Sequence, residues 1–468
     1  MTISIRSMSV LRALSVCGVA GLCAGIAAGS TPAGLESELL VEHIRLTSPA
    51  DFHRAGEAYF SPDGQRIIFQ ATPVAGEGEE QETHYQMYVA ELMRDASGRV
   101  TGIGEAVRLS EFGSSNTCGW FHPTEPKVLF ATTFGPPDER RVPGYQREGG
   151  RYQWAFPSEM TIVTMPDPLV TGEAPTLGRA EAMFERDGYT AEGSWSPCGR
   201  FVLYAQIDEE RRTGRPEADL WIYDAERDEH VLVVGERGYD GGPFFSACGK
   251  YICYRSDREG DSRLQLFVAV LAFDEEGGIT GISAERRITD NTHVNWAPYF
   301  HPSGRFLVYA GSNVGHQNYE VFAIGLDPED GFAMSEGERP IGRVTFSTGF
   351  DGLPVFSPDG QYFMWTSQRE WEGERGTSQV WMARVASDDP ELWTGPVTER
   401  QAGVLVRVEV EAMTPGAGEA AALLAERAGE GWRVEASWFD GERRRIEVFG
   451  VDRLGQVERD GGVEEAAF

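Results

Sequence analysis

Aromatic and aliphatic runs flank a polar turn at six places along the chain. Each copy has an aromatic residue, then Ser or His, and in most copies Pro, a small residue and Gly follow. We call the Ser or His the turn position, and its six copies are Ser61, His122, Ser196, Ser246, His301 and Ser357. Pro presets φ and Gly accepts a positive φ, so this sequence favours a tight turn. Each copy is therefore predicted to form a β-hairpin.

Two aromatic columns accompany the turn. The residue just before the turn position is aromatic in all six copies. The residue eight positions after it is also aromatic, namely Phe69, Phe130, Tyr204, Tyr254, Tyr309 and Trp365. Aromatic residues make up only 11% of the chain, so two columns filled six times indicate a true structural repeat.

A third apolar run follows most copies, as in residues 220–223 and 379–382, and a fourth, more polar run follows in residues 286–289 and 341–345. Successive turn positions are 61, 74, 50, 55 and 56 residues apart. Four strands at this spacing are typical of a β-propeller blade. The sequence therefore predicts an all-β fold, a propeller of six four-stranded blades over residues 41–395.

Ring closure has its own sequence pattern. Residues 41–47 resemble the fourth strand of a blade but precede the first hairpin, and no clear fourth strand follows Trp381. We predict that residues 41–47 pair with the third strand of blade six, near residues 379–383, and so hide two sheet edges. The 74-residue spacing predicts a long loop on blade two between Thr133 and Ser158.

The repeat resembles the WD-like propeller repeat of the TolB family, whose hallmark is an aromatic residue followed by Ser-Pro-Asp-Gly. The resemblance covers roughly residues 41 to 390 and includes the stretch 295–302 with the nearby Ser312 and Asn313. It implies a six-bladed propeller of a bacterial exported protein. It implies little about chemistry, because one fold serves many functions.

The two ends of the chain differ from the repeat. Arg6 and Arg12 precede an uncharged stretch over residues 13–28, which predicts a secretory signal peptide over residues 1–30, with a retained membrane anchor as the alternative. Residues 400–457 have three strand patterns and a helical stretch at 418–427, which predict a small α+β domain. Residues 458–468 are predicted to be an acidic tail.

Charge limits the classes of partner. The formal net charge is −31, which disfavours nucleic acid and anionic membrane surfaces as partners and favours a cationic protein or peptide segment. The signal predicts a periplasmic or secreted protein, and after its removal we expect a monomer without a membrane span. Cys198 and Cys248 occupy equivalent turns of adjacent blades, too far apart for a disulfide.

Motifs of common catalytic centres are missing from the sequence. It contains no nucleophile elbow, no zinc-binding His-Glu-x-x-His and no phosphate loop. His122 and His301 stand at turn positions, where a turn hydrogen bond is the simplest role. We therefore predict no catalytic residues, no metal site and no cofactor.

Two sets of polar residues are candidate binding sites. Five short polar residues recur six positions before the turn, at the start of the predicted innermost strands, and we call them the mouth ring: Asn116, Thr190, Asp240, Asn295 and Asp351. They are predicted to encircle one end of the central channel, although such residues also begin strands by bonding the backbone locally. A second candidate pocket comprises His293, Asn313, His316 and Asn318.

These observations favour a non-catalytic exported propeller, a binding module or scaffold for a protein, peptide or small ligand of the cell envelope. Three alternatives stay open. One is a lyase or hydrolase that uses a metal bound in the channel, another is an accessory propeller of a peptidase system, and the third is a purely structural envelope protein.

Overall fold

A computed structural model describes residues 36–394, apart from residues 77, 79–80, 139–143, 149–150, 173–179, 208–216, 262, 317, 328–339 and 370–376. It also describes three strands nearer the C-terminus. Residues Glu36–Gly395 form one compact unit, and the residues from Pro396 onward fall in a second unit. Within the described residues, no helix has the length and apolar character needed to cross a membrane.

The first unit consists of six antiparallel sheets arranged as the blades of a propeller, as the repeat predicts. From the channel outward, the strands of the first three blades are β2 (Phe52–Phe60), β3 (Arg66–Pro73), β4 (Gln86–Arg94) and the split outer strand β5 (Val100–Ile103) and β6 (Val107–Arg108) in blade one; β7 (Asn116–Phe121), β8 (Lys127–Thr132), β11 (Thr161–Pro166) and β12 (Glu181–Ala182) in blade two; and β13 (Tyr189–Trp195), β14 (Phe201–Ile207), β15 (Ala218–Asp224) and β16 (Glu229–Val234) in blade three.

The other three blades follow the same order. Their strands are β17 (Asp240–Phe245), β18 (Tyr251–Ser256), β19 (Gln265–Phe273) and β20 (Ile279–Arg287) in blade four; β21 (Asn295–Phe300), β22 (Phe306–Gly311), β23 (Glu320–Gly325) and β24 (Ile341–Arg343) in blade five; and β25 (Asp351–Phe356), β26 (Tyr362–Ser367), β27 (Gln379–Val385) and the N-terminal strand β1 (Leu40–Arg45) in blade six.

The repeated turns form through the residues that define the repeat. The Ser357 hydroxyl donates to Asp359 Oδ1 over 2.6 Å and accepts from the Tyr362 backbone N–H over 2.9 Å. In the His301 turn, the ring Nδ1 accepts from the Ser303 N–H at 3.1 Å. The predicted turn role of the histidine is thereby confirmed, and the inner two strands of the blade are held at a fixed register.

The aromatic column eight residues after the turn is the core of the blades. All six of its side chains are at most 1% exposed, and they are among the largest fully buried groups of the described chain. They lie on the second strand of each blade, where both sheet faces are covered by neighbouring blades. Removal of this much apolar surface from water is the main stabilising term for such a fold.

The ring closes as the sequence predicts. Strand β1 pairs antiparallel with β27, with Ile44 opposite Met382 and Arg45 opposite Trp381. The contact continues past the strand, where the Leu46 N–H donates to the Val380 carbonyl over 2.8 Å. Residues from the start of the chain thus cover the edge of the last blade.

A buried ion-pair network fastens this closure. Both carboxylate oxygens of Glu36 accept from the Arg369 guanidinium at 3.0 Å, and Arg369 also donates to Asp351 Oδ2 at 2.9 Å. Nε2 of His43 lies 2.6 Å from Oε2 of Glu36. Burial raises the pKa of Glu36, but the charge of Arg369 and the hydrogen bonds from His43 and Arg369 outweigh it, so the pKa is lowered below its ordinary value.

Several segments lie outside the blades. The predicted long loop of blade two contains a two-stranded hairpin of β9 (Gly144–Glu148) and β10 (Arg151–Ala155). Two short helices, α1 (Pro168–Thr171) and α2 (Pro390–Thr394), follow strands of blades two and six. The second unit has a three-stranded sheet, ordered β28 (Gly403–Val410), β30 (Arg443–Val451), β29 (Trp432–Phe439). Its strands match the predicted ones, while the predicted helix, signal peptide and tail lie outside the described residues.

We predict that Glu36→Gln destabilises the propeller in a pH-dependent manner. The variant leaves a buried guanidinium short of one carboxylate, which should lower the free energy of unfolding at neutral pH by on the order of 3 kcal/mol. The folded-state pKa of Glu36 is lowered, so its contribution is present above the ordinary value of 4.5 and is lost as pH falls through the folded value. Urea unfolding of both proteins at neutral and acidic pH measures the difference.

The matched control for this prediction is Glu229→Gln, which removes the same charge from an exposed site on β16. It should change stability by less than about 0.5 kcal/mol. A difference between wild type and Glu36→Gln that stays constant down to acidic pH would show that the ion pair does not fasten the ring.

Candidate functional site in the central channel

A β-bulge interrupts the innermost strand of every blade at the same place. In blade two, Thr117 pairs with Ala131 and Trp120 with Leu129, so two residues on the inner strand face one on the second strand. The same shift occurs in the other blades. The residue four positions before the turn has a positive φ, from 42° to 59°, in all six copies.

We call these six residues the bulge ring, and they are Glu57, Cys118, Glu192, Gly242, Ala297 and Leu353. Five of them are not glycine, although a left-handed backbone costs other residues about 1 kcal/mol or more. The polar and apolar side chains of the ring lie on different sides. Blades one to three contribute two carboxylates and a thiol, whereas blades five and six contribute only apolar groups.

Blade four places an arginine where the other blades have a bulge side chain. A Cβ built on Gly242 would lie 2.0 Å from Nη1 of Arg255, so the guanidinium occupies that space. A Cβ on Gly241 would lie 2.1 Å from the Tyr239 hydroxyl oxygen. The two adjacent glycines therefore make room for a guanidinium and a phenol beside the channel.

Glu192 is held by charged and backbone donors. Its Oε1 accepts from the Tyr239 hydroxyl at 2.6 Å, and its Oε2 accepts from the Gly242 N–H and from Arg255 at 3.4 Å. Arg255 also donates to the Tyr239 hydroxyl at 2.7 Å. The carboxylate is 9% exposed, so these partners replace most of its water.

Glu57 has only neutral donors. Its Oε1 lies 3.0 Å from Cys118 Sγ and 3.3 Å from the Tyr59 hydroxyl, and its Oε2 accepts from the Thr117 hydroxyl at 3.2 Å. Among the residues that the structure describes, no cationic side chain forms an ion pair with it. Glu57 and Cys118 both remain partly exposed.

These surroundings change the acidity of both groups. Burial is the main cause that raises the pKa of Glu57; the nearby charge of Glu192 adds to the rise, while hydrogen bonds from Cys118 and Thr117 oppose it. Burial, together with the charges of Glu57 and Glu192, raises the pKa of the Cys118 thiol well above its ordinary value. The thiol is therefore a hydrogen-bond donor to the Glu57 carboxyl group and not a thiolate.

Aromatic rings from opposite blades meet across the channel below the bulge ring. They stand two positions before the turn and form what we call the aromatic plug: Tyr59, Trp120, Phe244 and Tyr299. The ring centroids of Tyr59 and Phe244, from blades one and four, are 5.6 Å apart, and those of Trp120 and Tyr299, from blades two and five, are 6.5 Å apart. The plug blocks the channel between the bulge ring and the repeated turns.

Other aromatic side chains line the approach from the opposite face, where the inner strands begin. Phe156 packs against Tyr189 and Tyr239 with centroid distances of 4.9 and 5.4 Å, and Trp296 lies 5.9 Å from Phe350. Phe156, Trp296 and Phe350 are partly exposed. We call these five residues the aromatic wall. The plug and the wall together make the channel a dead-end site with the two carboxylates near its floor.

The mouth ring lies at the starts of the predicted inner strands, and its side chains share a sheet face with the aromatic residues just before the turns. Residues paired across an antiparallel ladder share a sheet face. The bulge reverses the alternation, so the position six before the turn shares a face with the residue just before the turn. All five side chains are at most 3% exposed.

Hydrogen bonds account for most polar atoms of the mouth ring. The Asn116 amide donates to the Tyr85 carbonyl at 2.8 Å, and Asn295 donates to the Leu264 carbonyl at 3.1 Å. Asp351 accepts from Arg369 in the closure network. Burial raises the pKa of Asp240 to about 7. Among the described residues, Asn116 Oδ1, Asp240 Oδ1 and Asp351 Oδ1 are buried without a hydrogen-bond partner. The binding role of this ring stays a prediction.

The second predicted pocket is only partly assembled. The Asn318 side chain accepts from the Gly349 N–H at 2.6 Å and donates to Glu320 at 3.3 Å, so it links loops of blades five and six. His316 is exposed, with its ring centroid 6.4 Å from that of Tyr319. The Asn313 side chain lies over Gly311, and His293 is partly exposed. A ligand role for these four also stays a prediction.

No group of three or more His, Cys, Asp or Glu side chains in the described part of the chain is arranged to hold a metal ion. Cys198 and Cys248 are exposed free thiols, as the sequence predicts, and each contacts the serine of its turn at 3.3 Å.

Sequence reasoning missed the bulge ring and its arginine. The one visible signal was the pair of adjacent glycines, Gly241 and Gly242, in a predicted inner strand, since glycine inside a strand often marks a bulge or a close approach.

Comparisons with known proteins give distant similarities. No protein-family model matches the chain. An uncharacterized protein of Agrobacterium fabrum is 25% identical over 173 residues, which are 36% of this chain and 52% of that protein. The chain thus spans about half the length of this curated relative.

The chain is also similar, at low sequence identity, to several solved structures. A structure assigned as TolB from Agrobacterium tumefaciens has a TM-score of 0.43 and 16% identity over 74% of this chain and 98% of its own. TolB from Acinetobacter baumannii has a TM-score of 0.43 and 15% sequence identity, and the match covers 69% of this chain and 64% of that protein's chain. An oligogalacturonate lyase in complex with manganese has a TM-score of 0.39 and 15% sequence identity, and the match covers 74% of this chain and 93% of that protein's chain. By its own repeat and blade topology, the chain is a TolB-like six-bladed β-propeller.

Proposed function

We propose that the protein is an exported binding module that takes a cationic group of its ligand into the dead-end channel. The observation that carries the proposal is the carboxyl group of Glu57, which lies near the channel floor and has only hydroxyl and thiol partners among the described residues. An ammonium or guanidinium group would supply the charge partner that the carboxylate lacks.

The walls of the channel suit the same ligand. Aromatic faces attract cations through their quadrupole, and three rings of the aromatic wall, those of Phe156, Trp296 and Phe350, are partly exposed. The net charge of −31 would speed the approach of a cationic partner. A lysine or arginine side chain on a protein or peptide segment, or a small amine, has this chemistry.

Location and assembly belong to the same proposal. The signal-like residues 1–30 support a periplasmic or secreted module, and we propose that it acts as a monomer on a partner of the cell envelope. The resemblance to TolB propellers is compatible with a protein partner.

The channel does not resemble a nucleophilic active site. Cys118 is the one thiol in the bulge ring, and its raised pKa keeps it protonated beside a carboxyl group. A cysteine nucleophile needs the opposite environment, with a base or cation that favours the thiolate.

A second candidate function is acid–base catalysis. Glu57 and Glu192 are two carboxyl groups in different environments, one with a raised pKa and one paired with Arg255. Such pairs serve as proton donor and fixed carboxylate in enzymes. Turnover of a chromogenic glycoside or ester panel, lost in Glu57→Gln, would favour this alternative over binding alone.

The binding proposal predicts selectivity among three probes of equal size. Benzylammonium should bind with a Kd on the order of 1 mM, whereas benzyl alcohol and benzoate should bind at least about tenfold more weakly. Glu57→Gln should reduce benzylammonium affinity by at least about tenfold. Isothermal titration calorimetry or ligand-observed NMR measures these affinities.

Two control variants locate the site. Glu229→Gln removes one exposed charge and should leave the affinity unchanged. Asp240→Asn removes a charge from the mouth ring; if it abolishes binding while Glu57→Gln retains it, the mouth ring is the site. Equal binding of the cationic, neutral and anionic probes would contradict the proposal.

Thiol reactivity tests the description of Cys118. In protein made without residues 1–30, Ellman's reagent should modify the exposed Cys198 and Cys248 within minutes. Cys253 is buried and Cys118 has a raised pKa, so both should react only after unfolding. A Cys198→Ser/Cys248→Ser variant should therefore be almost inert when folded. A rapidly reacting thiol in that variant that disappears with Cys118→Ser would mean that Cys118 is an activated thiol.

A further inference from the structure

The channel floor contains more acidic than basic groups. Two carboxyl groups, those of Glu57 and Glu192, belong to the bulge ring, and one guanidinium, that of Arg255, lies beside them. We call these three groups the charged tier. If both carboxyl groups were ionised, this tier would have a net charge of −1 in a site largely shielded from water. Burial of an uncompensated charge is costly, so one bound proton is the expected state of the ligand-free channel.

Geometry assigns that proton to the Glu57 side of the channel. Glu192 accepts from a guanidinium, a backbone N–H and a phenol, all of which stabilise its ionised form. Among the described residues, the hydrogen-bond partners of the Glu57 carboxyl group are the Thr117 hydroxyl, the Tyr59 hydroxyl and the Cys118 thiol. These groups can accept a hydrogen bond as well as donate one, so they accommodate a neutral carboxylic acid. The raised pKa of Glu57 agrees with this assignment.

The charged and titratable groups around Glu57 come from several blades. Tyr59 lies on its own strand, and Tyr85 in a loop of blade one senses its charge. Cys118 faces it from blade two. Glu192 and Arg255 act on it from blades three and four with opposite signs. Blade six contributes the uncharged Thr366, whose hydroxyl accepts from the Glu57 N–H at 2.9 Å.

We propose that ligand binding is coupled to proton release at Glu57: the cationic group of the ligand takes the place of the carboxyl proton, which leaves to solvent. The tier then keeps the same net charge before and after binding. This inference rests on the proposed function, because it assumes a cationic ligand in the channel. It adds that the module binds its ligand more weakly as the pH falls and Glu57 becomes protonated.

Calorimetry with benzylammonium tests the coupling. The heat of binding in buffers of different ionisation enthalpy gives the number of protons released per ligand. At pH values below the pKa of Glu57 in the free protein this number should approach one, and it should fall toward zero at higher pH as Glu57 ionises. Over the same acidic range the affinity should drop by about tenfold per pH unit.

Variants distinguish this coupling from a structural role. Glu57→Gln should fold, as judged by an unchanged circular dichroism spectrum, and should bind more weakly with no proton release and no pH dependence over this range. Glu229→Gln should release the same number of protons as wild type. A release at low pH that persists in Glu57→Gln would assign the proton to another group and overturn the inference.

The two proposals fail in different ways. Suppose that benzylammonium binds selectively and that this binding is lost in Glu57→Gln. If the binding then releases no proton between about pH 5 and about pH 8.5, the coupling is refuted and the binding proposal stays intact. Absence of benzylammonium binding at any pH in this range would refute both.

Discussion

The bulge in each inner strand decides what the central channel contains. Six strands converge on one axis, and an extra residue in each strand turns one backbone position into the left-handed region. The side chain at that position differs from one blade to the next. Because the φ requirement is the same in every blade while the side chain differs, the fold provides a fixed ring of positions whose chemistry can vary. In this protein the variation gives a polar half and an apolar half.

The closed end of the channel limits the access of water to the carboxyl groups of the bulge ring. If the channel were open at both faces, water would solvate both carboxyl groups and weaken their interactions. The aromatic plug, with rings from blades one and four and from blades two and five in contact, removes one route. The interior is then less polar, so an unpaired carboxylate is costly and a cation is a fitting partner. The ion pair of Glu36 and Arg369 contributes indirectly, because it helps to hold the ring that brings these blades together.

The sequence predicted the features that every copy must satisfy. Ser357 bonds Asp359 within its turn and His301 bonds Ser303, so a side chain that can bond the turn recurs at this position. The buried column that includes Trp365 recurs because each blade needs a large core residue there. Closure by residues 41–47 was predictable because a strand pattern without a partner at one end matched a missing strand at the other.

The channel floor could not be predicted in the same way. Glu57, Cys118 and Leu353 share a position but no chemistry, so their column is invisible as a repeat. The mouth ring was predicted because it recurs at the starts of the innermost strands; the structure buries these side chains, and Asn116 donates to the Tyr85 carbonyl, so its binding role stays a prediction. Arg255 was missed because it lies on the second strand and reaches the channel only through the space left by Gly242.

The most direct test of this account is a crystal structure of the protein with benzylammonium bound. The account predicts that the ammonium nitrogen lies within about 4 Å of the Glu57 carboxylate, with its ring beside the aromatic wall and the aromatic plug intact below it. A ligand bound only on the outer loops, or a channel open through the position of the plug, would contradict the claim that the propeller axis is a dead-end cation site.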